Sequence, residues 1–133
     1  MSKDIFNPPN MMKPAGYSHV ARVAGGWMVY LAGQVSADAS GQLIGEGNLE
    51  AQAEQVFKNL KAGVEAAGGT MADIVKMNVY LVAEVNAEEL PKFRAVRDRY
   101  VNVEKPPAST LVSVVRLARP GWLIEIEAVA AIG

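Results

Sequence analysis

Residues 105–132 read KPPASTLVSVVRLARPGWLIEIEAVAAI, and this stretch decides the fold. Two runs rich in β-branched residues flank a Pro-Gly pair, a pattern that predicts a hairpin of two strands. In the second run, Ile124 and Ile126 alternate with Glu125 and Glu127. Because successive side chains of a strand point to opposite faces, one face of the sheet is expected to meet a dry core. The other face carries two carboxylates, which need partners.

Two amphipathic helices are predicted upstream of this stretch. Apolar residues recur at spacings of three and four over Asn48–Ala67, which predicts a helix capped by its first asparagine and ended by Gly68–Gly69. A second helix is predicted over Asn86–Val101, where the first residue and Glu89 have the spacing of a capping box. Pro91 lies too deep for a helix capped at its first residue, so the first turn is expected to be separate.

The remaining strands are predicted from alternation and from turn residues. Tyr17–Val23 and Trp27–Val35 flank a Gly-Gly pair and are expected to form a hairpin, whereas prolines make residues 1–14 extended or irregular. Gln42–Ile44 is a candidate short edge strand. Val75–Val82 alternates between two faces. Its apolar face holds Val75, Met77, Val79 and Leu81, and its polar face holds Lys76, Asn78 and Tyr80.

The order of elements predicts an α+β fold in which two helices cover one face of a mixed sheet. The opposite face would display five polar side chains: Lys76, Asn78, Tyr80, Glu125 and Glu127. That face is too apolar elsewhere to be plain solvated surface and too polar to be a core. Because sheet faces of this mixed kind often meet another subunit, we expect an oligomer with these polar residues near an interface.

Length and composition narrow the class of protein. The 133 residues suit a single domain spanning 1–133, and 50% of them are hydrophobic. The chain has no cysteine, which excludes thiol catalysis and disulfides. A net charge of −1 without a basic tract argues against nucleic acid binding. No run is long and apolar enough for a membrane span, and the N-terminus lacks a signal-peptide pattern, so we expect a cytoplasmic protein.

Two carboxylates and one histidine are candidates for chemistry, and each also has a structural interpretation. Glu125 could act as a general acid or base or orient a water. It could instead form an ion pair across the sheet with Lys76 or Arg116. Glu127 allows the same two interpretations and favours the structural one more strongly. His19 is the only histidine, which leaves too few ligands for a metal site, so no metal is expected.

Three other residues could contact a ligand. Gly33 lies inside a strand pattern, which indicates either a packing bulge or a close approach of another group to the backbone. Tyr17 could pack its ring or offer its hydroxyl to a ligand. Ser109 begins a strand after two prolines, and its hydroxyl could bind an anionic ligand or satisfy local backbone groups.

Taken together, several segments resemble the RidA/YjgF/YER057c/UK114 family, also labelled endoribonuclease L-PSP. The resemblance covers nearly the whole chain, and it rests on the order and spacing of the segments rather than on any one of them. The segments are Gly16–His19, Ala32–Gln34, the helical Gln55–Lys61, the strand Val75–Leu81, Pro107–Ala108 and Ile124–Ala128.

The resemblance implies a chorismate-mutase-like α+β fold, a homotrimer, and ligand clefts between subunits. It also implies hydrolysis of reactive imines or enamines, such as 2-iminopropanoate, to a keto acid and ammonia, without a metal or cofactor. By the same resemblance, Glu125 would hold the attacking water, while Tyr17 and the amide of Gly33 would line the cleft. Ser109 and Leu111 would complete the contacts with the substrate.

The chain departs from the family pattern at the residue that would hold the substrate carboxylate. Relatives have an arginine directly after the pair that matches Pro107–Ala108, and this chain has Ser109. A serine offers one hydroxyl, whereas an arginine grips a carboxylate with two charge-assisted hydrogen bonds. A family serine is also replaced, by Ala32. Arg116 and Arg119 are the nearest arginines in sequence, and we expect poor turnover of 2-iminopropanoate.

Three functions from different classes therefore stay open. The first is an imine or enamine hydrolase whose substrate preference has changed with the loss of the arginine. The second is a non-catalytic trimer that binds a small molecule in the intersubunit cleft. The third is an endoribonuclease or translation inhibitor, which fits a slightly acidic chain with one histidine least well. The sequence does not name the substrate.

Overall fold

A computed structural model describes all residues from 1 to 133, arranged as six strands and two α-helices. The strands are β1 (Ser2–Phe6), β2 (Val20–Ala24), β3 (Trp27–Gln34), β4 (Ile74–Val82), β5 (Ala108–Val114) and β6 (Ile124–Ile132). The helices are α1 (Leu49–Ala66) and α2 (Leu90–Arg97), with single 3-10 turns at Met71–Asp73 and Ala87–Glu89. The α+β class predicted from the sequence is confirmed. Neither helix is long and apolar enough to cross a membrane.

The strand pairing corrects both predicted hairpins. The main sheet has the order β3-β6-β4-β5, so β4 lies between the two C-terminal strands and they do not pair. β5 runs parallel to β4 and β6 runs antiparallel to it. Near the N-terminus, β2 pairs with β1 in a separate two-stranded sheet instead of with β3. Because β4 lies in the centre of the sheet, its apolar face is fully buried. Turn residues report only on local structure, so they do not predict this gain in buried area.

The N-terminal segment is also more ordered than its prolines predicted. Ser2–Phe6 is a strand, and it pairs with β2 over its whole length. Arg22 donates to Asp4 across this pair, with 2.7 Å between Nη2 and Oδ2. The candidate edge strand at 42–44 is reduced to an isolated bridge between Ala37 and Leu43.

The first helix confirms the sequence prediction closely. Asn48 caps α1, because its Oδ1 accepts a hydrogen bond from the backbone N–H of Ala51 at 3.0 Å. The chain leaves the helix through Gly68, whose φ of +94° lies in the region that favours glycine. The helix presents its apolar stripe to the sheet.

The second helix is shorter than predicted and divided as expected. Asn86 and Glu89 form a capping box, but the box caps a single 3-10 turn. Pro91 then stands at the start of α2, where a missing N–H costs nothing. The helix ends at Arg97, and the residues up to Val101 form turns rather than further helix.

The core lies between the two helices and one face of the main sheet. Seventeen buried residues form one cluster there, and Ile124 and Ile126 are 0% exposed, as alternation along β6 predicted. The predicted place of Val75 on the core face is wrong. A shift of register between Ile74 and Lys76 places Ile74 in the core cluster instead. Val75 is buried on the other side of the sheet, next to Met28 and Tyr30.

No helix covers the opposite face of the main sheet, which we call the open face. Its apolar part surrounds a cavity of about 550 Å³. The side chain of Tyr30 lines this cavity and is 76% exposed in the single chain. Large aromatic groups left in water on a sheet face are typical of surfaces that meet a partner.

Candidate functional site

The segment Gly16–His19 is fixed against the start of β5 by backbone contacts. The N–H of Ser18 donates to the carbonyl of Pro107 at 3.1 Å, and Ser18 forms a parallel bridge with Ala108. The N–H of His19 donates to Oδ1 of Asn7 at 2.7 Å, and the imidazole ring lies edge-on to Tyr17. Tyr17 is therefore placed beside the first residues of β5 although more than ninety positions of sequence separate them.

Tyr17, Ser109 and Leu111 line one cavity of about 410 Å³, which we call the helix-side cavity. The register of β4 and β5 explains the position of the two β5 residues. Ser109 pairs with Met77 and Leu111 with Val79, and those partners point into the core. Side chains of paired residues share a face, so these two lie on the side of the sheet that α2 covers. The remaining lining residues are Ala15, Leu90, Phe93, Arg94, Arg97 and Thr110.

The arginines of this cavity are not the ones that the sequence suggested. Arg94 and Arg97 on α2 line it, whereas Arg116 and Arg119 do not. Arg119 instead lies over the indole of Trp122, with 5.8 Å from its Cζ to the ring centroid. The available signal was helical spacing, because residues three apart on a helix share a side. That signal was not sufficient, because it does not say which strand α2 packs beside.

Glu125 and Gly33 lie together, on the open side of the sheet. Glu125 pairs with Tyr80 in the antiparallel ladder, so its side chain points away from the helices. A shift of register between Leu31 and Gln34 forms a bulge around Gly33. A Cβ atom on Gly33 would lie 2.8 Å from Oε1 of Glu125, so only glycine fits there without a shift. Both interpretations of Gly33, a bulge and a close approach, are confirmed.

The two glutamates of β6 differ in their partners. Glu127 accepts a hydrogen bond from the hydroxyl of Tyr80. This hydrogen bond, together with burial, raises the pKa of Tyr80 above its ordinary value. Glu125 makes no hydrogen bond or ion pair within the chain, with Lys76, with Arg116 or with any other residue. Lys76 donates instead to Oγ1 of Thr110 at 2.8 Å. The half-buried carboxylate of Glu125 is thus available to a water or a ligand.

The five predicted site residues therefore form two groups on opposite faces of one sheet. Glu125 and Gly33 belong to the open face, and Tyr17, Ser109 and Leu111 belong to the helix-side cavity. A β-sheet separates the groups within one chain. No group of three or more His, Cys, Asp or Glu side chains is arranged to hold a metal ion.

Comparisons with known proteins place the chain among relatives over its whole length. The family model described as Endoribonuclease L-PSP matches residues 10–132. A RutC family protein of Pyrococcus horikoshii is 36% identical over 128 residues, covering 96% of this chain and 97% of that protein. A 2-iminobutanoate/2-iminopropanoate deaminase of Dermatophagoides farinae is 33% identical over 131 residues, covering 98% of this chain and 97% of that protein.

Solved structures give the same result. A crystal structure of a Rid family protein of unknown function from Yersinia pestis superimposes with a TM-score of 0.87 at 34% identity. The match covers 99% of this chain and 100% of that one. The resemblance drawn from short segments of sequence is therefore confirmed, both in the fold and in the family model.

Proposed function

The chain belongs to the RidA/YjgF family, also labelled endoribonuclease L-PSP, and on that premise we propose that it hydrolyses reactive imines or enamines. The observation that carries the proposal is the unpaired carboxylate of Glu125 beside the backbone of Gly33. A relative named as a 2-iminobutanoate/2-iminopropanoate deaminase supports the class of reaction.

The proposed chemistry needs one water and one carboxylate. Glu125 accepts a hydrogen bond from the water and takes its proton as the oxygen bonds to the imine carbon. The C=N double bond becomes a single bond, and its nitrogen takes the proton that Glu125 received. Loss of ammonia from that carbinolamine then gives the carbonyl product, so an imine and water become a carbonyl compound and ammonia. An enamine first takes a proton at carbon and loses one from nitrogen to become the imine.

We infer further that the complete site forms between two copies of the chain. The supporting observation is that Glu125 and the helix-side cavity face opposite ways within one chain. A neighbouring copy that packs on the open face would bring its own cavity towards this Glu125. A homotrimer satisfies this requirement because its symmetry is closed: the open face of each copy meets the helix-side cavity of the next copy around the ring. Light scattering at micromolar concentration should give three times the mass of the chain, and a monomer mass would refute the assembly.

The decisive experiment measures ammonia released from imines that an amino acid oxidase generates in the assay. Glu125→Gln keeps the size of the side chain and removes its basicity, so we expect a loss of about 10²- to 10⁴-fold in rate. Glu127→Gln is the matched control, because it makes the same change two residues away at a carboxylate that Tyr80 holds. It should stay within a few-fold of the unmodified protein.

Two outcomes would redirect the assignment. If no imine is hydrolysed and Glu125→Gln changes nothing, the non-catalytic ligand-binding alternative replaces the hydrolase. An endoribonuclease role would require RNA binding that weakens steeply with salt, since phosphate contacts release counterions. We expect no such binding from a chain with a net charge of −1.

A further inference from the structure

The helix-side cavity has a positively charged lining. Arg94 and Arg97 are its only charged residues, and no aspartate or glutamate lines it. Asp98 lies nearby and accepts a hydrogen bond from Nε of Arg97 at 2.9 Å, with 47% of its own side chain exposed. Arg94 forms no ion pair within the chain. Asp98 therefore balances one of the two arginine charges, and no acidic side chain pairs with the other.

The guanidinium of Arg97 is largely buried and incompletely paired. Its side chain is 12% exposed, and within the chain only its Nε makes a hydrogen bond. The group packs against Gly16, where an added Cβ would lie 2.3 Å from Nη2. Gly16 also has a φ of +78°, a conformation that favours glycine. Both the backbone conformation and the nearby guanidinium therefore favour glycine at this position. The N–H donors on Nη1 and Nη2 form the two-pronged fork that matches a carboxylate.

The rest of the cavity is mainly apolar. Leu90 and Phe93 of α2 and Leu111 of β5 line it, together with Ser109. A volume of about 410 Å³ is within the usual range of small-molecule sites, and it leaves room for more than a methyl group.

We propose that Arg97, assisted by Arg94, anchors the carboxylate of a small organic acid whose apolar side chain packs on Leu90, Phe93 and Leu111. The inference rests on the proposed function, because it takes the helix-side cavity as half of the substrate site. It adds a source for the positive charge that residue 109 does not supply. It also names the substrate class as imino acids with branched or aromatic side chains.

A matched set of three probes tests the anchor without any catalysis. The acid 4-methylpentanoate carries both features, 4-methylpentanamide lacks the charge, and acetate lacks the apolar chain. Binding to the unmodified protein is followed by titration in NMR spectra of the ¹⁵N-labelled protein. We expect the acid to bind about 10- to 150-fold more tightly than the amide, as for loss of a charged hydrogen bond. Acetate should bind more weakly than the acid.

Variants then identify the residues. Arg97→Gln should weaken binding of 4-methylpentanoate by about 10- to 150-fold. Arg94→Gln should weaken it about 2- to 5-fold, because its side chain is exposed. Arg116→Gln removes the same charge from an exposed position outside the cavity, and it should bind as the unmodified protein does. Equal effects of Arg97→Gln and Arg116→Gln, or equal binding of acid and amide, would overturn the proposal.

The design separates this inference from the proposed hydrolase. If Arg97→Gln does not fold, the acid–amide comparison in the unmodified protein and the Arg94→Gln variant still decide the matter. A protein that binds the acid selectively but releases no ammonia refutes the hydrolase and leaves the anchor. A protein that hydrolyses imines without preferring the acid over the amide refutes the anchor and leaves the hydrolase.

Discussion

The two faces of the main sheet have opposite characters although the same strands build them. On the face covered by α1 and α2, side chains such as Ile124 and Ile126 are fully buried in one apolar cluster. On the open face, Glu125 has no partner within the chain and Tyr30 is 76% exposed. Alternation along a strand lets one sequence serve both purposes, since neighbours point in opposite directions.

Stability and chemistry lie in different parts of this fold. The covered face supplies the burial that stabilises the single chain. The open face leaves the carboxylate of Glu125 without a partner in the chain and the ring of Tyr30 exposed. The helix-side cavity is at the edge of the covered face, lined by residues of β5 and α2. The effect of a substitution should therefore depend more on the face that carries the residue than on the residue type.

The largest expected effect belongs to the covered face. Ile126→Ala should lower the free energy of unfolding by about 2–5 kcal/mol, through lost burial and the cavity left behind. Val129→Ala, on the same strand but lining the open-face cavity, should cost less than about 1 kcal/mol at protein concentrations low enough to dissociate the trimer proposed above. Urea unfolding measures both. Similar losses from the two variants would contradict the division between the faces.

Catalysis offers the second test, at the edge of the covered face. Ser109 cannot grip a carboxylate as an arginine does, and 2-iminopropanoate has only a methyl group to pack in the helix-side cavity, so we expect it to be hydrolysed poorly even with Arg97 as an anchor. Ser109→Arg should raise the rate by about 10- to 150-fold, the equivalent of one charge-assisted contact. The coupled ammonia assay compares the two proteins. Turnover by the unmodified protein equal to that of arginine-containing relatives would show that residue 109 is not limiting.

A buried polar group tests the covered face in another way. Gln52 is fully buried, and its amide bonds the carbonyls of Gly45 and Gly121 and the N–H of Leu123 at 2.9–3.1 Å. Gln52→Leu would leave the carbonyl of Gly121 and the N–H of Leu123 without these partners, at a cost of about 1–3 kcal/mol, whereas the carbonyl of Gly45 still accepts from the N–H of Asn48. Gln55→Leu is the control, because Gln55 is half-buried and bonds only Asn59. Thermal or urea unfolding in which both variants cost the same would contradict this account.

The smallest effect concerns the contact between α1 and the turn that follows α2, and this effect depends on pH. The hydroxyl of Tyr100 donates to Glu54, and this hydrogen bond, with help from Arg99, holds the pKa of Glu54 below its ordinary value. A lowered pKa in the folded state stabilises the fold above the unfolded value of 4.5 and loses that effect as pH falls through the folded value. Tyr100→Phe should cost about 1 kcal/mol at neutral pH and less in acid. A cost independent of pH between 7 and 3 would refute it.

Much of the candidate site was predictable because short-range patterns carry it. Alternation in β6 placed Glu125 opposite the core, and a glycine inside a strand pattern indicated the bulge at Gly33. The cap of α1 at Asn48 is equally local, since the side chain bonds a backbone N–H three residues away. In each case the deciding interaction spans a few residues, so the sequence contains it.

Only the tertiary structure decided which elements lie beside one another. The Pro-Gly pair predicted a hairpin that does not form, because β4 gains more burial between β5 and β6 than at an edge. The same packing brings α2 beside β5, and with it Arg97, to a cavity where sequence reasoning had considered Arg116 and Arg119. By itself the sequence determined the family and most of the elements and their faces, but not the strand Ser2–Phe6 or the face of Val75. Pairing across long separations depends on summed burial and on loop closure, which no local stretch of residues encodes.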